Sequence, residues 1–261
     1  FKQGEYVHHM GIRAGGNMAI LAGAGPMGLG AIDYALHGPV KPRLLVITDV
    51  DQARLARAAE IFPVDHAKTC GVELHYLNTS QGDAVTDLKG LTQGKGYDDV
   101  MVFAPVPALI EQASRILAFN GCLNFFAGPS KAEFFASVNF YDIHYMGHHV
   151  VGSSGGNTDD MRAALDLMAK NLINPAVMIT HVGGLDCARD TTLDLPKIPG
   201  GKKLIYTKVS LPLVALDDFA RLGEKDSFFS ELSKITARHN GLWSVEAEEY
   251  LLQNAKPVSV A

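Results

Sequence analysis

Three glycines near the start of the chain have the spacing of a phosphate-binding turn. Gly23, Gly25 and Gly28 form the pattern G-x-G-x-x-G directly after the apolar run 17–22 and ahead of a stretch with helical periodicity. In such a turn the first glycine permits a tight bend, the second lets the backbone approach a pyrophosphate, and the third lets the helix pack closely on its strand. The spacing therefore predicts a dinucleotide site at the start of a helix. The candidate cofactor-binding residues of this turn are Gly23, Gly25, Pro26, Met27 and Gly28.

An acidic residue follows the turn at the distance that ribose recognition needs. Asp49 lies about 20 residues after Gly28, at the end of the second apolar run. Its carboxylate suits the two ribose hydroxyls of an adenosine and would repel the 2′-phosphate of NADP, which favours NAD. Arg54 would partly neutralise that repulsion, so NADP stays open as an alternative. The other interpretation of the glycines is a turn that only joins a strand to a helix.

The segments around these residues alternate between strand and helix patterns. Short apolar runs predict strands, and stretches with apolar residues three and four apart predict the helices between them. Because the runs are apolar on both faces, they fit a parallel sheet that is covered on both sides. The predicted fold class is α/β, a doubly wound parallel sheet of the Rossmann type. The predicted strands are 17–22, 44–47, 72–77, 100–104, 123–127 and 149–152.

The alternation loses regularity near residue 174, which predicts three parts of the chain. These are a dinucleotide-binding domain over 1–174, a segment over 175–208 broken by proline and glycine, and a helical C-terminal tail over 209–261. A helix before the first boundary is predicted to begin with Thr158 as its N-cap. Its apolar stripe has the spacing typical of core packing and comprises Met161, Ala164, Leu165, Met168 and Leu172.

The overall composition disfavours several classes of partner. The 261 residues carry 23 Lys and Arg against 28 Asp and Glu, a net charge of −5, so no basic field attracts nucleic acid or anionic lipid. No uncharged stretch approaches the ~18–20 apolar residues of a membrane span. The three cysteines have none of the paired spacings of a disulfide framework or a zinc knuckle. We therefore expect a cytoplasmic protein with a small-molecule partner.

The sequence resembles the cofactor domain of the zinc-type medium-chain dehydrogenase/reductases, the alcohol and polyol dehydrogenases. Residues 23–30 match that family's turn, and Asp49 followed by Arg54 matches its ribose site. Segments 124–131 and 155–161 are similar to those of members that reduce ketose phosphates. The resemblance implies an NAD(P)-dependent oxidoreductase that interconverts a ketose phosphate and a sugar-alcohol phosphate. The strand-end residues expected to contact the cofactor are Ala104, Ala127, Gly128, Gly152 and Ser153.

The resemblance also implies a catalytic zinc, and here the sequence departs from the family. Neither the Gly-His-Glu ligand motif nor a four-cysteine lobe is found, and the chain does not begin with Met. Since a metal site needs its ligands, we expect that a larger catalytic part precedes Phe1 and that this chain alone is inactive. The segment 175–208 would then be the return of the chain into a GroES-like catalytic domain. No catalytic residue and no metal ligand is assigned.

The sequence bears on two other functions and on several other polar residues. A stand-alone NAD(H)-binding sensor that signals through the helical tail stays open. A short-chain reductase does not fit, because no Tyr-x-x-x-Lys pair is found. His144 and His148 are interpreted as part of a run into a strand rather than as metal ligands. Lys202 and Lys203 are interpreted as a solvated surface pair. The resemblance further implies a homo-oligomer, a dimer or tetramer, that continues the sheet near Val150.

Overall fold

The computed structural model describes residues 11–258, and the chain divides after Ile173 into two compact units. The first ten residues of the predicted dinucleotide-binding domain and the last three of the predicted tail lie outside the described residues. In the first unit, strands alternate with helices, as the periodicity predicts. The strands are β1 (Asn17–Leu21), β2 (Leu44–Asp49), β3 (Glu73–Asn78), β4 (Tyr97–Val102), β5 (Leu117–Phe125) and β6 (His149–Gly152). The helices are α1 (Pro26–His37), α2 (Gln52–Ile61), α3 (Val64–Thr69), α4 (Ala84–Leu91), α5 (Pro107–Arg115), α6 (Phe140–Tyr145) and α7 (Thr158–Ala169).

The strands of the first unit form one parallel sheet in the order β3-β2-β1-β4-β5-β6. All six residues of β2 are buried, as expected for an inner strand of a parallel sheet with helices on both faces. The predicted fold class, a doubly wound parallel α/β sheet, is confirmed. The strand order reverses between β1 and β4, and a crevice therefore forms at the carboxyl ends of these two strands.

One core cluster of this unit is built from the strands together with α4 and α5. Leu21, Val46 and Val100 belong to one buried cluster that spans neighbouring strands. Tyr97 is fully buried in the same cluster, and its hydroxyl donates a hydrogen bond to the carbonyl oxygen of Leu88 at 2.8 Å. The polar atom of this large side chain is thus satisfied inside the core. These contacts hold neighbouring strands and α4 together on one face of the sheet.

The start of α7 corrects the predicted N-cap. The capping residue is Asn157, whose side chain accepts hydrogen bonds from the backbone N–H groups of the first turn. The carboxylate of Asp160 accepts the N–H of Asn157 in return, at 2.7 Å. Thr158 is instead the first helical residue. An asparagine three residues before an aspartate makes a reciprocal capping box, which the threonine alone does not provide.

No residue of the apolar stripe on and after α7 is buried, so the prediction that it packs in the core is wrong. Helix α7 has no buried residue, and Met161 and Leu165 are each 62% exposed. Helical spacing predicts that apolar side chains share a face, but it does not tell whether another element covers that face.

The segment before β6, which was predicted to be extended, is helical from Phe140 to Tyr145. His144 therefore lies on α6.

The second unit joins short strands with helices around a core of its own. Its three-stranded sheet has the order β10-β7-β8, and helices contribute Phe219, Leu232 and Leu251 to the same buried cluster as Val182 of the sheet. The predicted boundary between residues 208 and 209 falls inside this unit. The strands are β7 (Ile179–Gly184), β8 (Lys202–Tyr206), β9 (Val209–Ser210), β10 (Val214–Ala215) and β11 (Lys256–Pro257). The helices are α8 (Ala188–Asp194), α9 (Phe219–Gly223), α10 (Ser227–Arg238) and α11 (Val245–Asn254), with 3-10 turns at Pro175–Met178, Leu185–Cys187, Leu195–Lys197 and Leu216–Asp218.

Lys203 of β8 is not part of a solvated surface pair, which corrects that prediction. Its ammonium group donates hydrogen bonds to the carbonyl oxygens of Pro199 at 2.9 Å and Gly201 at 2.7 Å. Partial burial lowers the pKa of Lys203 from its usual value. The lysine therefore holds the glycine turn before β8, while Lys202 is exposed.

Across the described part of the chain, no helix combines the length and apolar content needed to cross a membrane.

Candidate functional site

A cleft of about 460 Å³ opens at the carboxyl ends of the strands in the first unit. It lies where the strand order reverses, which is where doubly wound sheets bind their ligands. The segments after β1, β2, β3 and β4 all contribute to its wall. The predicted site residues that line it are Gly25, Pro26, Met27, Gly28, Asp49, Arg54 and Ala104.

The glycine turn is closed on one side and open on the other. The N–H of Gly23 donates to the carbonyl oxygen of Thr48 at 2.8 Å, which ties the turn to the end of β2. A Cβ at Gly28 would lie 1.9 Å from the carbonyl oxygen of Gly23, so α1 can begin this close to the turn only with glycine there. A Cβ at Gly25, in contrast, would have no atom within 4 Å. This open backbone faces the cleft, as the approach of a pyrophosphate requires.

The first turn of α1 presents backbone donors without a side-chain cap. Gly25 is the N-cap, Pro26 is at the first helical position, and the turn carries no acidic residue. Met27 and Gly28 of this turn line the cleft. The backbone N–H groups at this end carry the positive end of the helix dipole, with no carboxylate of the turn competing for them. An anionic group such as a pyrophosphate fits here.

Asp49 and Arg54 place opposite charges at the wall of the cleft. Asp49 is 5% exposed, and its Oδ1 accepts the N–H of Asp51 at 3.1 Å. Asp51 caps α2, and its Oδ2 lies 3.5 Å from Nε of Arg54. A carboxylate suits ribose hydroxyls, whereas a guanidinium suits a phosphate. The wall therefore carries a carboxylate suited to a ribose with free hydroxyls and a guanidinium suited to a ribose with a 2′-phosphate.

Several residues at and after the ends of β3 and β4 line the cleft although they were not predicted as site residues. Phe103 and Leu109 contribute apolar surface, and Thr79 lies just past the end of β3. Gln112 of α5 also lines the cleft, and its side-chain nitrogen is buried with no hydrogen-bond partner among residues 11–258. A buried amide without an acceptor is costly, so Gln112 fits a ligand that brings one. Among these residues, Thr79 could have been identified from the sequence, because it follows a predicted strand of the sheet.

A comparison with protein families decides which proteins share this architecture. The sequence profile of the zinc-binding dehydrogenases matches residues 26–170, more than half of the chain. The chain belongs to the zinc-binding dehydrogenase family. The matched stretch includes Gly28, Asp49 and Arg54, so the cleft lies within the region that defines the family.

Two curated relatives of this zinc-binding dehydrogenase chain carry the names of sugar-phosphate enzymes. A mannitol-1-phosphate 5-dehydrogenase of Aliivibrio fischeri is 55% identical over 249 residues, which are 95% of this chain and 59% of that protein. An L-sorbose 1-phosphate reductase of Klebsiella pneumoniae is 48% identical over 258 residues, 99% of this chain and 60% of that protein. The chain thus spans about three-fifths of the length of these relatives.

A solved structure shows the same fold with a dinucleotide bound. A zinc-binding dehydrogenase from Sinorhizobium meliloti 1021, bound to NADP, superimposes with a TM-score of 0.60 at 24% identity. The alignment covers 76% of this zinc-binding dehydrogenase chain and 54% of that one. At this identity the likeness shows the fold alone.

Four predicted strand-end residues of the zinc-binding dehydrogenase chain are not part of the cleft wall. Ala127 and Gly128 follow β5, while Gly152 ends β6 and Ser153 follows it. Because β5 and β6 are parallel to β4, these residues lie at the same edge of the sheet, beside the cleft. The N–H of Ser153 donates to the carbonyl oxygen of Phe125 at 3.3 Å, which joins the two strand ends. Their contact with a cofactor stays a prediction.

The family name implies zinc, and the residues around the cleft do not fit it. Among the residues that the structure describes, three metal-binding side chains converge at one place, formed by His37, His66 and Cys70. His37 is the last residue of α1, whereas the cleft lies at the first turn of that helix. The lining of the cleft therefore offers no zinc site among the described residues. The dinucleotide does fit, because of the open Gly25 and the unpartnered amide of Gln112.

Proposed function

We propose that this chain binds NAD(H) in the cleft of its first unit. The pyrophosphate would lie over Gly25 against the first turn of α1, and the adenosine ribose would lie on Asp49. The observation that carries the proposal is the contrast between the two glycines: Gly28 is closed against Gly23, whereas Gly25 faces open space inside the cleft. A turn that only joins a strand to a helix does not need that opening.

We further propose that NAD(H) is preferred over NADP(H). Asp49 is buried at the cleft wall, and a 2′-phosphate beside it would have to be desolvated next to a carboxylate. Arg54 is held by Asp51 at the same wall and offsets part of that repulsion. The preference is therefore one of degree, and NADP(H) is expected to bind more weakly.

The proposed reaction is the interconversion of a sugar-alcohol phosphate and a ketose phosphate. The names of the two curated relatives support this substrate class. The nicotinamide accepts or delivers the hydride when it is bound. The proposed share of this chain is to hold the ring near the strand ends of β4, β5 and β6. The residues proposed for that contact are Ala104, Ala127, Gly128, Gly152 and Ser153.

We propose that the chain as given binds cofactor with little or no turnover, since no metal-binding group converges at the cleft among residues 11–258. The same observation favours the second candidate, an NAD(H)-binding module that does not catalyse. An activity assay with Zn²⁺, NADH and a ketose 1-phosphate distinguishes the two candidates if turnover is seen. Robust turnover would exclude the non-catalytic module. We also propose that the protein is cytoplasmic, because Cys70, Cys122 and Cys187 form no disulfide, as is usual in a reducing compartment.

We also propose a homo-oligomer, which continues the sheet through β6. This strand lies at the edge of the sheet, and Val150 within it is 48% exposed. An open edge with an apolar residue invites a second strand. The exposed stripe on α7, which follows β6 in the chain, adds apolar surface.

The cofactor proposal is tested by calorimetric titration with NAD⁺, NADH, NADP⁺ and NADPH. The informative variant is Gly25→Val, because the backbone of Gly25 is extended and a Cβ there meets no protein atom. The variant should keep the melting temperature of the wild type and lose binding of all four nucleotides, since its side chain projects into the cleft. Unchanged affinity in Gly25→Val would rule out a pyrophosphate at this turn.

A further inference from the structure

Two histidines and a cysteine meet at the end of α1 that is remote from the cleft. His37 is the last residue of α1, His66 lies in α3, and Cys70 follows α3 four residues after His66. Nε2 of His37 is 2.9 Å from Nε2 of His66, and Nε2 of His66 is 3.7 Å from Sγ of Cys70. The three ligand atoms all lie within 4.8 Å of one another. His37 and two residues that lie at least 29 positions later in the chain thus present three soft or borderline ligands to one point.

A buried carboxylate orients the first of these ligands. Nδ1 of His37 is 2.8 Å from Oδ1 of Asp33, which is one turn earlier on α1 and only 4% exposed. A carboxylate accepts hydrogen bonds and does not donate them, so Nδ1 of His37 carries a proton and donates it to Asp33. When the imidazole is neutral, its lone pair is therefore on Nε2, which faces His66. This carboxylate–histidine pairing is the arrangement that supports metal-bound histidines.

The separations of the ligand atoms are close to those around a small tetrahedral ion. Zinc binds nitrogen at about 2.0–2.1 Å and thiolate sulfur at about 2.3 Å, which puts two ligand atoms roughly 3.3–3.6 Å apart. The two separations given above, 2.9 Å and 3.7 Å, lie on either side of that range. The side chain of His66 is exposed and that of Cys70 is half-buried, so each can move by a few tenths of an ångström. The ion would also lie at the C-terminal end of α1, where the helix dipole favours a cation.

We propose that His37, His66 and Cys70 bind one zinc ion, with water in the fourth position and Asp33 as a positioning residue. The site is separate from the dinucleotide cleft, because α1 has its N-terminus at the cleft and His37 at its other end, about 16–18 Å away along the axis. It is independent of the cofactor proposal. Its effect is structural: the ion ties the end of α1 to α3 and stabilises the first unit.

The test is a titration of the reduced full chain with Co²⁺, followed by displacement with Zn²⁺. Tetrahedral cobalt has intense visible bands, and a thiolate ligand adds a charge-transfer band in the near ultraviolet. We expect one equivalent of cobalt with both features in the wild type. Cys70→Ser should lose the charge-transfer band, and His66→Ala should weaken binding by at least about tenfold. Zinc should raise the melting temperature of the wild type and not that of either variant.

Matched controls separate this site from adventitious binding. Cys187→Ser removes another half-buried free thiol, and His144→Ala removes an exposed histidine, so both should bind cobalt like the wild type. Asp33→Asn should weaken binding by about 10–100-fold while the charge-transfer band persists, as expected for a residue that acts through His37. No cobalt binding at micromolar concentration, or a spectrum unchanged by both Cys70→Ser and His66→Ala, would overturn the proposal. Because the side chain of His66 is exposed, His66→Ala should fold and can decide the test even if Cys70→Ser or Asp33→Asn does not fold.

Discussion

Gly28 lies directly against Gly23, so that a Cβ at Gly28 would stand 1.9 Å from the carbonyl oxygen of Gly23. The contact is between backbone atoms, which cannot rotate away as a side chain could. The same turn is held by the hydrogen bond from Gly23 to Thr48 at 2.8 Å. The position of α1, and with it the opening at Gly25, therefore depends on the absence of one methyl group.

Gly28→Ala should destabilise the first unit by about 3 kcal/mol and weaken NAD(H) binding, because the turn must move to admit the methyl group. The matched control is Gly90→Ala in α4, where a Cβ meets no atom within 4 Å. That variant should be more stable than the wild type by about 0.5–1 kcal/mol, since alanine favours the helix. Urea denaturation and calorimetric titration measure both effects. Equal stability of the two variants would contradict the packing argument.

Asp49→Ala should reduce the affinity for NAD⁺ by about tenfold or more, because hydrogen bonds from ribose hydroxyls to a carboxylate contribute about 1.5–3 kcal/mol. The affinity for NADP⁺ should fall less or rise, since the repulsion of the 2′-phosphate is removed. Arg54→Ala serves as the comparison and should weaken NADP⁺ more than NAD⁺. Parallel titrations of both variants give the ratios. A variant at Asp49 that leaves the NAD⁺ to NADP⁺ ratio unchanged would place the ribose elsewhere.

The stability of the first unit should depend on pH through Asp99. Burial raises the pKa of this carboxyl to about 6, although the N–H of Arg13 donates to it at 2.8 Å. Below about pH 4 the group is protonated in both the folded and unfolded chain. As pH rises to about 6, the unfolded chain loses the proton first, so the free energy of unfolding falls by up to about 3 kcal/mol and then levels off.

Asp99→Asn isolates this contribution, because the amide oxygen can still accept the N–H of Arg13. The variant should lack the fall between about pH 4 and 6 and should be more stable than the wild type at pH 7. Asp87→Asn, at an exposed position of α4, should follow the wild-type curve. Denaturation at a series of pH values provides the comparison, and parallel curves for wild type and Asp99→Asn would refute the assignment.

The exposed stripe of α7 should contribute to self-association. The double variant Met161→Glu and Leu165→Glu places two charges on side chains that are each 62% exposed, so the fold should tolerate it. Light scattering should then show a shift from an oligomer toward the mass of one chain. Val245→Glu, at another exposed apolar position, on α11, should leave the mass unchanged. An oligomer that survives the double variant, or a wild type that is monomeric, would contradict a role for this surface.

Local patterns indicated most of the first unit. The predicted strands at 17–22, 72–77 and 149–152 agree with β1, β3 and β6 to within one residue at each end. Asp49 and the glycines line or support the cleft because a parallel sheet brings the carboxyl ends of its strands to one edge. Gln112 and Thr79 escaped prediction, because no short pattern marks a side chain that reaches the cleft from a later helix or loop.

The sequence by itself determined the alternating elements, the parallel sheet and the spacing of the glycine turn with its acid, since these follow from periodicity and from backbone sterics. Only the tertiary structure decided which surfaces are covered. The stripe on α7 has core spacing, yet none of its residues is buried. Lys203 is of a residue type that is usually solvated, yet it donates hydrogen bonds to backbone carbonyl oxygens. The tertiary structure also brings His37 close to His66 and Cys70. Burial and convergence depend on how distant segments pack, and the spacing within one segment carries no information about the element that will lie against it.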